Sequence, residues 1–484
     1  MNLPPTANTR PEALRAGAGR SRAAALALTA LAGCMTVGPD YQEPALALPA
    51  AWSGSAAGSP AVAAQDREDL SRWWERLDDP MLTGLVAAAL LASPDLRSAQ
   101  ARLREARARR DLAGAQRAPS VDARATASAT RRSDTDTTSR LYSAGFDAGW
   151  EIDVFGGKRR ALEAADADLQ SSAASLDATR VSLAAEVARN YVEVRAFQVR
   201  LGIARSNLES QSETLQLTDW RAQAGLVGSL DVEQARANRE QTRAQIPSLE
   251  TSLAGAQHRL AILLGLPPAA LQERLAASGP IPRVPERIAV GIPADVLRQR
   301  PDVRAAERVL AAETARIGQA QAARYPSFSL SGSIGLEAAS FDALTGGATR
   351  TRALAAGLTA PLFDGGRLRQ QVEIQRAVEE RARVGYESAV LTALEEVENA
   401  LVGFGNSGAR RGALAEALAA ARNAALLARH RYTAGLVNFQ TVLDTERTVL
   451  TIEDSLAATE ADGVSALIQL YKALGGGWTP ESAR

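Results

Sequence analysis

The chain has 484 residues, with 55 Lys and Arg balanced by 55 Asp and Glu. That balance excludes the electrostatic footprint of a nucleic-acid binder, and a single cysteine excludes a disulfide framework. Aromatic residues make up only 4% while alanine, a small and strong helix former, is abundant, so long, closely packed helices fit better than a large aromatic core.

In chain order, Arg10, Arg15, Arg20 and Arg22 precede a short apolar run from Ala23 to Leu31. Residues 1–33 therefore read as a signal peptide, to be left out of fold reasoning. Leu31-Ala32-Gly33-Cys34 follows and resembles a bacterial lipobox, which makes Cys34 the expected lipid anchor. The next residue is Met35 and not Asp, which by resemblance to bacterial lipoprotein sorting rules implies the outer membrane. Beyond position 35 there is no apolar run of about 18 residues, so no helix is expected to span a bilayer. Residues 34–68, rich in Pro, Ala, Gly and Ser, are expected to form an extended, lipidated tail. Trp73-Trp74 and Asp79-Pro80 open the first-repeat helices, 69–118, with the tryptophans as docking anchors in a core.

After Pro119 the hydrophobic period changes from 3.6 to 2. Val121, Ala123, Ala125 and Ala127 alternate with Asp122, Arg124, Thr126 and Ser128; after a polar loop over 131–139, Tyr142, Ala144, Phe146, Ala148, Trp150 and Ile152 alternate with polar residues and glycine. Residues 119–155 thus predict a β-hairpin, and residues 326–363 a second. Strands of about 10–14 residues with one apolar and one polar face suit a tilted membrane strand over a wet lumen. Four strands do not close a barrel, for which about eight is the small end. Three chains would supply twelve and leave no free edge.

Each hairpin leaves through a glycine pair, Gly156-Gly157 and Gly365-Gly366, into a long helical hairpin, 156–268 and 364–475. Val187, Val194, Leu201, Leu208 and Leu215 recur every seven positions, as do Leu443, Leu450, Ala457, Val464 and Tyr471, which is the spacing of a coiled-coil seam. Gly403, Gly405, Gly408 and Gly412 predict a break or bend in the second long helix. Residues 269–325 form a linker and the second-repeat helices, and 476–484 a C-terminal tail. The two halves are a duplication: Arg117-Ala118-Pro119-Ser120 returns as Arg324-Tyr325-Pro326-Ser327, 207 positions on (324 − 117), and Ala224-Gly225-Leu226-Val227 returns as Ala434-Gly435-Leu436-Val437, 210 on (434 − 224). The fold class is therefore a mainly α, mixed α and β membrane protein. A tandem unit gives four strands to a trimeric, twelve-stranded barrel and carries two long helical hairpins.

No catalytic constellation is present. His258 and His430 have no ligand spacing and no phosphate loop exists, so neither a metal, a cofactor nor an enzymatic activity is expected. The informative motif is the helix return from Arg431 to Asp444, where Gln440 and Asp444 lie one helical turn apart. Around a threefold axis an inward Asp444 would make a ring of three carboxylates, which constricts a pore and favours cations. Spacing by itself favours the plainer alternative, a solvated Asp beside a helix start.

Together with Arg300-Pro301-Asp302-Val303-Arg304, Tyr325-Pro326-Ser327-Phe328, Leu362-Phe363-Asp364-Gly365-Gly366 and Tyr471 through Trp478, these segments resemble the TolC-type outer-membrane efflux factors, in their lipoprotein branch. The resemblance covers almost the whole chain after residue 33. It implies a homotrimeric channel-tunnel in the bacterial outer membrane, lipid-anchored, with the helical hairpins joined into a long coiled-coil α-helical barrel in the periplasm. It also implies a role as passive exit duct for small molecules, joined by a periplasmic adaptor protein to an inner-membrane pump of the resistance-nodulation-division type. By the same resemblance Tyr432, Gln440 and Asp444 mark a periplasmic constriction, and Gly225, Leu226, Val227, Gly435, Leu436 and Val437 are adaptor-contact tips. The family's basic residue in this turn falls on Val437 and its apolar ring position on Gln440, which leaves no arginine-based lock there. The alternatives are an exit duct for type I polypeptide secretion and a non-conducting periplasmic spacer.

Overall fold

The duplication read from the landmarks governs the order of elements. The computed structural model describes residues 36–53, 61–63, 70–134, 136–285, 288–290, 296–297 and 299–478. The expected signal peptide over 1–33, Cys34 and part of the flanking tails lie outside the described residues. In the first half come β1 (Ala61–Ala63), α1 (Pro80–Ala92), α2 (Pro94–Ala115), β2 (Ser120–Arg132), β3 (Thr137–Ile152), α3 (Gly157–Gln223) and α4 (Ser229–Leu263). In the second come β4 (Ile288–Val290), α5 (Pro301–Ala322), β5 (Ser327–Ala338), the one-turn α6 (Ala343–Gly346), β6 (Thr349–Thr359), α7 (Arg367–Thr433) and α8 (Phe439–Ala473). Pro94 and Pro301 each open their helix, where a missing N–H costs nothing. Among the described residues no helix is long and apolar enough to cross a membrane.

The chain forms two compact units. The first comprises, among the described residues, 36–44, 105–170 and 307–384. Its sheet is antiparallel in the order β2-β3-β5-β6. Register puts Ala123, Phe146, Ile334 and Arg352 in one row, and Ile152, Phe328 and Leu358 in another, all on one face. On the opposite face Arg124 pairs with Asp147 at 3.3 Å, and the hydroxyls of Thr126 and Ser143 meet at 2.7 Å. That face is the crowded one at Gly145, where an added Cβ would lie 2.5 Å from the carbonyl oxygen of Ile334. Here glycine permits the close approach of neighbouring backbones. The segment from Val37 to Tyr41 is strapped down by Arg160, which donates to the carbonyls of Val37 and Gly38 and to Asp40 at 2.7 Å. Val37 N–H also donates to Phe155 at the exit of β3, and the Phe155 ring stacks on Tyr325 at 4.7 Å.

The second unit comprises residues 45–104, 171–306 and 385 onward. Trp73 is fully buried and stacks on Tyr471 at 5.3 Å, with Leu82, Leu85, Val187, Leu260 and Leu467 around it. The tryptophan pair is thus a core anchor. Asp79 caps α1 by accepting from Leu82 N–H at 3.0 Å and takes the Tyr191 hydroxyl at 2.7 Å. Burial and that carboxylate push the Tyr191 phenol up to about 12. Arg300, buried, donates to Asp302, Glu396 and the carbonyl of Ala473, tying α5 to α7 and to the end of α8. Val187, Val194, Leu443, Val464 and Tyr471 from the heptad rows are buried.

Two expectations need correction. α7 runs unbroken through Gly403–Gly412. Each glycine costs about 1 kcal/mol against alanine, but Phe404 is buried, and a Cβ at Gly463 of α8 would lie 3.2 Å from Ser407 Oγ, so packing against α8 holds the helix. The loops are also drawn differently. Arg131 and Arg132 extend β2, and a helical turn, α6, fills the β5–β6 loop. The Pro-rich tail, expected to be extended, contains the short strand β1, which pairs in parallel with β4.

Candidate functional site

The helix returns are built twice by the same chemistry. α3 ends as Leu226 N–H donates to Arg221 and Gly225 N–H to Ala222, both at 2.9 Å; α7 ends as Leu436 N–H donates to Arg431 at 2.8 Å and Gly435 N–H to Tyr432 at 3.0 Å. This paired closure needs a left-handed residue, and Gly225 (φ +73°) and Gly435 (φ +76°) supply it. α8 then starts under Asn438, whose side chain accepts from Thr441 N–H at 3.1 Å, an ordinary N-cap. Leu226 and Leu436 project into solvent, 67% and 74% exposed, while Val227 and Val437 tuck against Tyr432, Phe439, Val442 and Leu443.

Of the three residues expected at a constriction, two are together and one is apart. Gln440 Nε2 donates to Asp444 Oδ1 at 2.8 Å, and both side chains are exposed. Tyr432 is only 4% exposed and packs on Phe439 at 5.3 Å between centroids. Burial raises its phenol above the ordinary range, so it stays neutral. A residue not singled out in the sequence joins the two returns: Arg221. Its guanidinium lies 4.5 Å over the Tyr432 ring and donates to the carbonyls of Tyr432 at 2.9 Å and Thr433 at 3.3 Å. A cation at the end of α7 also meets the negative end of the helix dipole. The duplication held the clue, since Arg221 and Arg431 occupy equivalent places before the two glycines. Below the return, buried Glu446 accepts from Thr214 at 2.8 Å and Arg429 at 3.1 Å, another link between α3, α7 and α8 that no local motif signalled.

The arrangement contains hydrogen-bonded latches and exposed acceptors, and the sheet sorts polar from apolar side chains by face. The described elements are a four-stranded sheet with one polar face and two long helical hairpins. The family model of outer membrane efflux proteins matches residues 85–266 and 292–476. The chain is 35% identical over 468 residues to a pyoverdine export outer membrane protein of Pseudomonas putida, covering 94% of this chain and 97% of that one. It is 33% identical over 456 residues to nodulation protein T of Rhizobium leguminosarum bv. viciae, covering 94% and 93%. The solved outer-membrane channel OprN superposes with a TM-score of 0.85 at 39% identity, over 92% of this chain and all of that one. The chain belongs to the outer membrane efflux protein family. It is an outer-membrane component of an efflux system, with its helical part in the periplasm.

Proposed function

We propose that three copies of this chain close one twelve-stranded barrel and act as a passive exit duct for small molecules, without enzymatic activity. The observation that carries this is the sheet. Four strands with polar residues on one face and apolar residues on the other end in two long edges, β2 and β6, that have no partner among the described residues. Such edges demand pairing, and pairing β6 of one copy with β2 of the next closes the ring. The export named for the pyoverdine relative supports a small-molecule cargo. In this reading a periplasmic adaptor seats on the exposed tips Gly225, Leu226, Val227, Gly435, Leu436 and Val437 and connects the duct to an inner-membrane pump of the resistance-nodulation-division type. Gln440 and Asp444 face the axis as the constriction, with Tyr432 and Arg221 holding the return behind them.

The domain order proposed is a signal peptide over 1–33, a lipidated tail, and two copies of helices, hairpin and long helical hairpin. Thr36 packs against Gly156 where β3 gives way to α3. Planar-bilayer recording of the purified protein tests the duct. Stable, ohmic single-channel steps are expected; an intact, membrane-inserted oligomer that never conducts would leave only a spacer.

A further inference from the structure

The charges of the four-stranded sheet are sorted by sign as well as by face. The four acidic residues of its strands, Asp122, Asp147, Glu151 and Glu337, all lie on the polar face. The apolar face carries no acid, yet it carries Arg131, Arg140, Arg350 and Arg352. These four lie toward the β2–β3 and β5–β6 loops, the end away from the helices. The other end of the same face is apolar: Trp150, Ile152, Phe328, Leu330 and Leu358. Arg131 is held by Asp136 at 2.6 Å. Arg140, Arg350 and Arg352 are exposed and have no carboxylate partner among the described residues. Beside the last two is a hollow of about 740 Å³ floored by Phe146, Ile334 and Leu336.

An arginine on a lipid-facing strand is unfavourable unless its guanidinium reaches the interface, and there its planar fork matches a phosphate group two bonds at a time. The hollow offers apolar wall to an acyl chain on the same side. We infer that this face binds a lipid with a phosphorylated headgroup in the outer leaflet, its phosphate on Arg350 and Arg352 and one acyl chain in the hollow. The inference rests on the apolar face being the lipid-facing one.

Native mass spectrometry of the full-length protein in detergent tests it, with diphosphoryl lipid A, monophosphoryl lipid A and phosphatidylethanolamine added in turn. The wild type is expected to retain diphosphoryl lipid A at least tenfold more tightly than phosphatidylethanolamine, with the monophosphoryl form between them. R350Q/R352Q is expected to remove most of that preference, and R132Q, which alters an arginine near the same loop but on the polar face, to leave it intact. If the double variant fails to assemble, R350K/R352K keeps the charge and loses the fork, and an intermediate preference is expected. Equal retention of all three lipids, an unaltered preference in the arginine variants, or an equal loss in R132Q would overturn the site. Displacement of bound lipid by equimolar inorganic pyrophosphate would assign the arginines to free phosphate instead. A wild type that stays soluble and monomeric without detergent would overturn the barrel reading itself, an outcome separate from these.

Discussion

Arg221→Ala tests the latch between the two helix returns. The guanidinium makes a charge-assisted bond to the Tyr432 carbonyl at 2.9 Å, a longer one to Thr433, and a ring contact with Tyr432 at 4.5 Å. Bonds to a charged donor contribute about 1.5–3 kcal/mol, and a cation–π contact reached by water about 0.5–1 kcal/mol. Arg221 is half-buried, so the low end applies, and about 2 kcal/mol corresponds to a roughly 30-fold larger population of opened returns. Amide hydrogen exchange read on the peptide spanning 430–437 should accelerate by that order, while the Trp73 core keeps its protection. Arg221→Lys should recover part of the effect, since a charge remains to meet the carbonyls but the planar stacking is lost. Unaltered exchange in Arg221→Ala would refute the latch.

Asp444→Ala removes the carboxylate that Gln440 holds at 2.8 Å and is expected to raise single-channel conductance or admit larger solutes; the wild-type conductance would remove Asp444 from the constriction. At Gly225 and Gly435 nothing lies within 4 Å of an added Cβ, so a Leu there costs only backbone strain of about 1–2 kcal/mol for the left-handed conformation. Efflux, followed by drug susceptibility of a complemented deletion strain, should be lost while the oligomer persists. The Arg300–Asp302 pair sets an acid limit. Burial alone would raise the Asp302 carboxyl, but the bonds and charge of Arg300 outweigh it and hold the group below the usual carboxylate range. A depressed carboxylate contributes stability above its unfolded pKa of about 3.9 and loses it as pH falls through the folded value. The melting-temperature advantage of wild type over Asp302→Asn should therefore be full from neutral pH down to about 5 and close below about 4; an advantage that persists into acid would exclude this linkage.

The parts legible in the sequence are those set by local repetition. Alternation from Val121 to Ala129 and from Tyr142 to Ile152 encodes the strands, because side chains of a strand alternate faces whatever lies beyond them. Pro94 and Pro301 announce helix starts, and Gly225 and Gly435 announce returns, because each relieves a specific backbone constraint. What local spacing hides is pairing over long separations. β1 meets β4 across more than two hundred residues, and Arg221 meets Tyr432 across 211 positions. The same limit explains Gly403–Gly412. Propensity alone argues for a break, and only the contact with α8 shows why the helix continues. Tyr432, a motif residue by resemblance, lies inside the return, because burial is decided by Phe439 and Arg221 and not by its own spacing.

The mass of the protein in detergent, by light scattering with the detergent contribution removed, tests most directly whether the free edges of β2 and β6 close on copies of the same chain. Three chains per particle are expected at every concentration at which the sheet is intact. A stable single chain with its strands still folded would show that these edges do not need one another, and no barrel would follow.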